Sequence, residues 1–341
     1  MTTNFRSLFS IKTLMCSLAL FCLVAALPTR ALAWGDEGHR IVARVAEKGL
    51  TPKAQTAIAA LLSNDAFISQ CQQQQHIPVA TFADRLACIA TWADKVRGQR
   101  PATAGWHFVD IPRNAGQYSA SRDCAQGNCV IQEVERAFTV LSNPQSKPLD
   151  RQEALKFVVH FVGDMHQPLH DATDTQDQEA INNGFPTDRG GNQVFVTWLG
   201  QPTNKFGNWE LHAVWDSGII EARMKRTGED EVALARQLVN SLTATQKAFE
   251  KPSPAGGAAA WRSSLDSLLI QWAQEAHALA DQNAYADLGP QDMNDVAVDK
   301  GKKYHRYHLT QVYETANEPV VDDQLQAAGV RLARVLNEAF R

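Results

Sequence analysis

The stretch Phe157-Val-Val-His-Phe-Val-Gly-Asp-Met-His-Gln-Pro-Leu-His-Asp171 decides how this chain is organised. It predicts the end of an apolar helix that carries three potential metal ligands, His160, Asp164 and His170. Residues four apart lie on one face of a helix, so His160 and Asp164 should point into the same space. Pro168 ends or kinks the helix, which lets His170 turn back toward a site beyond its end.

A second pair repeats this spacing, since His212 and Asp216 are also four residues apart in a segment predicted to be helical. His39, Asp94 and His107 each lie beside small or aromatic residues near the predicted ends of elements. Histidine with carboxylate, and without thiolate, is the ligand set of catalytic zinc. Any one of these residues is more often a satisfied polar core group or a cap. The two pairs together favour a metal site.

The first 33 residues have the pattern of a cleaved export signal. Arg6 and Lys12 are basic, residues 14–27 are apolar, and Ala31-Leu-Ala33 fits an A-x-A cleavage site. The apolar run is shorter than the roughly 20 residues that a membrane helix needs, so no stable membrane anchor is expected. The sequence predicts cleavage before Trp34 and a periplasmic or secreted protein.

Residues 34–341 then form one predicted domain of 308 residues, long enough for a sizeable core. The whole chain has a net charge of −4, and the leader carries three basic residues and no acidic ones, which leaves −7. A net acidic protein lacks the broad basic surface of a duplex-DNA binder. If it handles nucleic acid, bound cations must supply the attraction.

Four cysteines remain after the leader, an even number that suits an oxidising compartment. Cys124 and Cys129 flank a short loop with Gly127 in its turn, which favours a disulfide there. Cys71 and Cys88 are then paired by default, although four cysteines permit three connectivities. A zinc site built on thiolates is disfavoured because the sequence has no CxxC pair.

The pattern of apolar residues predicts a mainly helical, all-α domain with a small β-hairpin, to which Gln193–Trp198 contributes one strand. Thr51-Pro52 is a good cap and first-turn pair for an early helix. Asp171 to Asn192 is expected to be a long polar loop. The later helices are predicted at about 131–142, 150–167, 209–223, 229–249, 259–281, 304–316 and 320–340.

Trp34, as the predicted first residue after cleavage, would add another ligand type. An α-amino group has a pKa of about 7.7–8.0, so a metal readily captures its neutral form. The same tryptophan could equally well pack near the terminus without binding anything.

Several motifs together resemble the mung bean nuclease family, the zinc-dependent single-strand-specific nucleases of fungi and plants and their bacterial relatives. They occur in the family's order and extend to Gly329-Val-Arg-Leu-Ala333, so the resemblance covers nearly all of the chain after the leader. The motifs are Trp34-Gly-x3-His39, Trp92-Ala-Asp94, His107-Phe-x-Asp110, His160-Phe-x-Gly-Asp164-x3-Pro-Leu-His170, Gly190-Gly-Asn192 and Leu-His212-x2-Trp-Asp216.

The resemblance implies a mostly α-helical fold, shared with zinc-dependent phospholipase C, that holds three zinc ions. Asp164 would bridge two of them. Carried over position by position, the ligands are Trp34 (amine and carbonyl), His39 and Asp164 for the first ion; Asp94, His107, His160 and again Asp164 for the second; and His170, His212 and Asp216 for the third.

The same resemblance suggests residues that act on the substrate. Asp110 matches an acidic residue that orients or deprotonates the attacking water, and Arg113 matches a basic residue that steadies the phosphate. Arg97, near the end of the Asp94 helix, is a second candidate for stabilising charge.

Three further residues are candidates for binding the base. Phe108, next to His107, can stack a nucleobase, a contact worth roughly 1–3 kcal/mol, or it can belong to the core. Asp123 and Asn192 match positions that contact base edges in the family. Both also lie in good turn sequences, so a purely structural role stays open.

The predicted function is an extracytoplasmic zinc-dependent endonuclease for single-stranded DNA and RNA that also acts as a 3′-nucleotidase, and we expect a monomer. A zinc-dependent phospholipase C is the alternative enzyme, but Gly190-Gly-Asn192, Asp110-x2-Arg113 and the Arg-Asp-Cys124 loop follow the nuclease pattern. A zinc-storage protein is disfavoured because no His-rich tract occurs, and a metalloprotease because no HExxH occurs. From His170 to Gly190 the chain is longer and more acidic than expected of fungal members, and this insert is predicted to border the cleft.

Overall fold

The computed structural model describes residues 34–74, 76–243 and 257–341, so the predicted leader at 1–33 lies outside the described residues. Its α-helices are α1 (Asp36–Gly49), α2 (Pro52–Leu62), α3 (Ala66–Gln74), α4 (Phe82–Ile89), α5 (Trp92–Arg97), α6 (Ala120–Asp123), α7 (Val130–Ser142), α8 (Pro148–Asp164), α9 (Gln178–Asn182), α10 (Leu211–Ala213), α11 (Ile219–Thr227), α12 (Glu231–Ser241), α13 (Gly257–Leu279) and α14 (Gln311–Ala339).

Shorter irregular helices join these elements. Four are 3₁₀ turns, at Pro101–His107, Ala125–Gly127, Pro168–His170 and Ala286–Leu288, and two are π-helical segments, at Val214–Gly218 and Ala280–Tyr285. No helix in the described ranges combines the length and the apolar character that crossing a bilayer requires.

A five-stranded sheet lies beside the helices, and the predicted mainly helical class is confirmed. The strands are β1 (Phe195–Trp198), β2 (Thr203–Asn204), β3 (Gly207–Glu210), β4 (Gln291–Asp299) and β5 (Lys302–Leu309), in the order β2-β3-β1-β5-β4. β1 is antiparallel to β3 and parallel to β5. The strand expected near 193–198 is therefore present, but its sheet is larger than one hairpin.

Three of the predicted helices differ from the structure in type or extent. The segment predicted as a helix at 304–316 begins as strand β5, whose residues pair with β1 and β4. The helix predicted at 320–340 is part of the longer α14, which continues through Pro319. The predicted helix at 209–223 begins as strand β3 and then continues as α10, a π segment and α11. The prediction at 229–249 reaches Ser241 as α12, and residues 244–256 lie outside the description.

The core is built around helix α8, whose residues are all buried from Ala154 to Asp164. A helix that is apolar on all sides belongs in the interior. Helices α1 and α14 pack closely because Gly329 has no side chain, since a Cβ there would lie 2.4 Å from Val45 Cγ1. As predicted, Thr51 caps α2 by accepting a hydrogen bond from the Ala54 N–H, with Pro52 as the first helical residue.

Both disulfides join neighbouring elements. Cys71–Cys88 links α3 to α4, and Cys124–Cys129 closes the loop between α6 and α7. These are the pairings favoured from the sequence.

The segment from His170 to Gly190, predicted to be an acidic insert, is folded against the sheet and contains α9. Glu179 accepts hydrogen bonds from the backbone N–H of His305, at 2.9 Å, and from the side chain of Gln291, at 2.7 Å. Phe185 packs against a small apolar cluster that includes Tyr304. The segment expected to be a polar loop is therefore attached to β4 and β5.

Candidate metal centre

The end of α8 places His160 and Asp164 on the same buried face. The His160 Nδ1–H donates to the carbonyl oxygen of Ala90 at 2.6 Å, so Nε2 is the ring nitrogen left to face the other predicted ligands. That nitrogen lies 3.3 Å from Asp164 Oδ2. A histidine that ligates a metal commonly donates its other ring N–H to a backbone carbonyl in this way.

The two oxygens of Asp164 face different partners. Oδ1 lies 3.2 Å from His39 Nε2, whereas Oδ2 lies 3.0 Å from His107 Nδ1. Burial opposes the charge of Asp164, but the nearby histidines hold the pKa of its carboxyl well below its ordinary value. A carboxylate that is fully buried, ionised and shared between two groups of histidines has the arrangement that a bridging ligand requires.

His39 fits into this face because the residue before Asp164 is a glycine. A Cβ on Gly163 would lie 2.9 Å from His39 Nδ1. The His39 ring stacks on that of His160, with 3.8 Å between centroids. Burial and the neighbouring His160 lower the pKa of His39 to about 4, so this ring is neutral and can offer a lone pair.

A second group contains Asp94, His107 and His160. Asp94 Oδ1 lies 3.8 Å from His107 Nδ1, and Oδ2 lies 3.9 Å from His160 Nε2. Both oxygens of Asp94 are buried and have no hydrogen-bond partner among the described residues. Although burial disfavours charge on His160, Asp164 and Asp94 together raise its pKa to about 9. The group therefore has an excess of negative charge, which attracts a cation.

The third group contains His170, His212 and Asp216. Each histidine donates its Nδ1–H to a backbone carbonyl, His170 to His107 at 2.7 Å and His212 to Gly190 at 2.6 Å. Both Nε2 atoms therefore carry lone pairs, yet they face each other at 3.1 Å. Two lone pairs at this distance repel unless a proton or a metal ion lies beside them.

Asp216 completes this third group. Its Oδ2 lies 3.5 Å from His212 Nε2, and its Oδ1 accepts a hydrogen bond of 2.6 Å from Gln167 Nε2. Burial raises the pKa of Asp216 well above its ordinary value, with the Gln167 hydrogen bond opposing. A buried carboxylate of this kind needs a compensating positive charge, which a metal ion supplies.

Local chain geometry creates this arrangement. Helix α8 ends at Asp164, a few residues before the expected end near 167, and Pro168 starts a 3₁₀ turn that directs His170 toward His212. Asp216 lies in the π segment Val214–Gly218, a helical irregularity that is frequent at functional sites.

Trp34 is buried between the two ligand-bearing segments. Its indole Nε1 donates to the carbonyl of Gly163 at 2.9 Å. The backbone N–H of the next residue, Gly35, donates to the carbonyl of Asp216 at 2.8 Å. The backbone of Trp34 is therefore held close to both helix ends that carry predicted ligands.

The residues present fit a metal in all three groups. The potential ligand atoms of each group lie within 4.8 Å of one another, in the sets His39, His160 and Asp164; Asp94, His107 and His160; and His170, His212 and Asp216. The donor atoms are imidazole nitrogens and carboxylate oxygens, the set that suits catalytic zinc. His160 lies within reach of both of the first two sets, which places these sets side by side.

Asp110 lies at the surface, three residues after the predicted ligand His107. Its side chain is exposed, and the backbone N–H of the preceding residue, Val109, donates to the carbonyl of His170 at 2.8 Å. The surrounding protein and the charge of Asp188 raise the pKa of Asp110 to about 6, with Arg189 opposing. The carboxylate is thus reachable from solvent and titrates close to neutral pH.

The two predicted arginines have different surroundings. Arg97 Nη2 lies 3.7 Å from Asp94 Oδ1, beside the second group. Arg113 instead forms two ion pairs, to Asp174 Oδ2 at 2.8 Å and to Asp281 Oδ1 at 2.6 Å. Arg97 therefore lies beside a predicted metal ligand, whereas Arg113 is paired with Asp174 and Asp281, which are not predicted ligands.

The predicted base-binding residues also differ. Phe108 is half-buried and is not among the partly buried side chains that pack on the core in the described ranges. Asp123 is held by Arg122 and by the Ser119 N–H, the latter at 2.7 Å. Asn192 donates to the carbonyl of Arg189 at 2.8 Å, as a turn residue does.

Sequence reasoning missed Asp188, Gln167 and Tyr285. Gln167 binds a predicted ligand directly, and Asp188 accepts a 2.5 Å hydrogen bond from the hydroxyl of Tyr285. The one sequence signal for Asp188 is its position two residues before Gly190-Gly, where an aspartate can accept from the N–H groups of the turn.

The chain is similar to known proteins over its described length. The family model described as S1/P1 Nuclease matches residues 34–341. The chain is 28% identical over 324 residues to Nuclease S1 of Aspergillus oryzae, covering 92% of this chain and 93% of that protein. It is also 28% identical to Endonuclease 3 of Arabidopsis thaliana, covering 91% and 90% of the two chains. To Nuclease P1 of Penicillium citrinum it is 29% identical over 184 residues, which cover 52% and 57%.

The family expected from the motifs is confirmed by a match that spans every described element. The curated relatives carry nuclease names and align over nearly their full lengths in the first two cases. The chain therefore belongs to the S1/P1 nuclease family and is a hydrolase of the nuclease class.

Proposed function

We propose that this chain is a zinc-dependent endonuclease that hydrolyses the phosphodiester bonds of single-stranded DNA and RNA and removes 3′-phosphates from nucleotides. One observation carries the proposal. Three groups of buried imidazole nitrogens and carboxylate oxygens lie together, each with its potential ligand atoms within 4.8 Å of one another, and the exposed Asp110 follows His107 by three residues.

Nine residues would hold three zinc ions. Asp164 is the shared ligand, because its two oxygens face different histidines. Bound zinc lowers the pKa of a coordinated water to near neutrality and polarises the phosphoryl oxygens. The assignment is Trp34, His39 and Asp164 to the first ion; Asp94, His107, His160 and Asp164 to the second; and His170, His212 and Asp216 to the third.

Asp110 is proposed to orient the attacking water and to accept its proton. A general base works best when its pKa is close to the working pH, and the pKa of Asp110 is raised to about 6. Arg97, beside Asp94, is proposed to stabilise the charge that develops on the phosphate.

The proposed preference for single strands follows from the recessed position of the ligands. A duplex cannot bring both its backbone and an unstacked base to a buried centre, whereas a flexible strand can. Phe108, half-buried beside His107, is proposed to stack that base. Asn192 and Asp123 are proposed to contact its polar edge.

The proposed compartment is the periplasm or the exterior of the cell. Removal of residues 1–33 would give a single nuclease domain at 34–341 with the amine of Trp34 available as a ligand, and we propose that it acts as a monomer. Two disulfides suit an oxidising compartment.

The test compares four substrates with and without a chelator: single-stranded DNA, RNA, a 3′-nucleotide and phosphatidylcholine. We expect the chelator to abolish cleavage of the first three and zinc to restore it. Turnover of the lipid alone, or nucleic acid cleavage that survives complete removal of zinc, would refute the proposal.

A further inference from the structure

The buried side chain of Asp188 collects hydrogen bonds from several segments that lie apart in the sequence. Its Oδ1 accepts from the backbone N–H of Asp174 at 2.7 Å and from that of Gly190 at 3.1 Å. Its Oδ2 accepts from the N–H of Gly191 at 2.8 Å. Asp188 thus links Asp174, near the start of the insert, to the Gly190-Gly191 turn at its end.

This turn carries the carbonyl that orients His212. Arg189, Gly190 and Gly191 all have positive φ, at 57°, 61° and 80°. The arrangement requires glycine at 190, where a Cβ would lie 2.3 Å from the carbonyl oxygen of Leu169. Glycine adopts positive φ without steric cost, so only Arg189 is strained here. The carboxylate of Asp188 holds the turn in this shape by accepting from the N–H groups of Gly190 and Gly191.

Two further residues close a ring around Asp188. The hydroxyl of Tyr285 donates to Asp188 Oδ2 at 2.5 Å. The guanidinium of Arg113 lies over the Tyr285 ring, 4.0 Å from its centroid, and Arg113 Nη1 donates to Asp174 at 2.8 Å. We call Arg113, Asp174, Asp188 and Tyr285 the brace.

The surroundings of Arg113 fit a brace better than a phosphate site. Arg113, Asp174 and Asp281 line a surface cleft of about 290 Å³. An anion that entered this cleft would meet two carboxylates that already pair with the guanidinium. The charge of Arg113 is therefore balanced before any substrate binds.

We propose that Arg113, Tyr285 and Asp188 are positioning residues that hold the Gly190 carbonyl on the Nδ1–H of His212 and thereby shape the third metal group. The inference rests on the proposed zinc dependence. Partners that fix the tautomer and ring orientation of a ligating histidine typically contribute about 10–100-fold to metal affinity or activity.

The experiment measures zinc binding by equilibrium dialysis and then the kinetics on a single-stranded oligonucleotide. Tyr285→Phe removes one hydroxyl and keeps the ring, and Asp188→Asn turns one acceptor into a donor. Because Asp188→Asn risks misfolding, Tyr285→Phe and Arg113→Gln carry the test. Tyr304→Phe is the matched control, since Tyr304 is also buried but donates to Gln193, outside the brace.

We expect Tyr285→Phe and Arg113→Gln each to weaken one zinc site, that of the third group, about tenfold and leave the other two unchanged. Their kcat should fall while KM stays the same, and excess zinc should restore kcat. The double variant should lose less than the product of the two single effects, because both changes open the same ring. Tyr304→Phe should match the wild type in zinc binding and kcat.

Two results would refute the proposed role of the brace. One is wild-type zinc binding in both single variants. The other is a raised KM in Arg113→Gln with zinc binding and kcat unchanged, which would make Arg113 a phosphate contact. Zinc binding is measured without substrate, so it tests the brace independently of nuclease activity. A wild type that binds zinc but cleaves no nucleic acid would refute the proposed function. The role of the brace would then still be decided by zinc binding in the variants.

Discussion

Replacing Asp164 by asparagine should empty two metal groups at once. The amide keeps the shape of the carboxylate but loses its charge, and one oxygen becomes an NH₂ donor. Oδ1 lies 3.2 Å from His39 Nε2 and Oδ2 lies 3.0 Å from His107 Nδ1. Whichever way the amide is turned, an N–H therefore faces a ring nitrogen of one group.

The size of the effect follows from burial, since Asp164 is fully enclosed. Breaking a buried charge pair costs about 3–5 kcal/mol. This corresponds to a loss of zinc affinity of roughly 100- to 4,000-fold, since 1.4 kcal/mol is a factor of ten. Equilibrium dialysis followed by metal analysis should then find one tightly bound zinc per chain, against the three that we propose for the wild type.

Asp65→Asn is the matched control. Asp65 is also a buried carboxylate. It pairs at 2.8 Å with Lys156 of α8, the helix that carries Asp164, and it lies outside the metal groups. We expect it to lower the free energy of unfolding by about 3–5 kcal/mol without changing the zinc count. If Asp164→Asn binds zinc as the wild type does, Asp164 is not a shared ligand and the reasoning fails.

Three further predictions concern the ligand His170, the amine of Trp34 and the proposed base Asp110. His170→Ala should remove the third zinc alone, so dialysis should find one zinc fewer than in the wild type, and loss of all three would contradict separate groups. One residue added before Trp34 in the cleaved chain should convert its amine into an amide and reduce both bound zinc and activity, whereas full activity would mean that the amine is no ligand. The raised pKa of Asp110, about 6, predicts that kcat/KM falls as the pH drops through 6, because the protonated acid no longer accepts a proton. Arg189→Gln removes a charge that lowers this pKa, so the acid limb should move to higher pH, and an unmoved limb would exclude Asp110 as its source.

The spacing of residues within one helix was readable from the sequence. His160 and Asp164 lie on one face of α8 because the helical period requires it. The same logic placed His212 near Asp216, although a π segment rather than a regular helix carries Asp216. Local rules succeed here because backbone geometry alone determines these distances.

The strand β5 shows where local rules fail. A helix was predicted to begin at about 304, yet Tyr304 and Arg306 are buried in alternation, as a strand requires. A run this short does not distinguish the 3.6-residue period of a helix from the two-residue period of a strand. Its hydrogen-bond partners decide between them, and β1 lies more than a hundred residues earlier in the chain.

The sequence by itself determined the helical class, the ligand types and the two His-x3-Asp pairs, because these depend on residue identity and short spacing. The family resemblance implied that Asp164 serves both His39 and His107, and the tertiary structure shows that its two oxygens face them. Only the tertiary structure decided that Arg113 pairs with Asp174 and Asp281. These contacts join segments that are far apart in the chain. Their distances are determined by how the helices and the insert pack together, which no local pattern specifies.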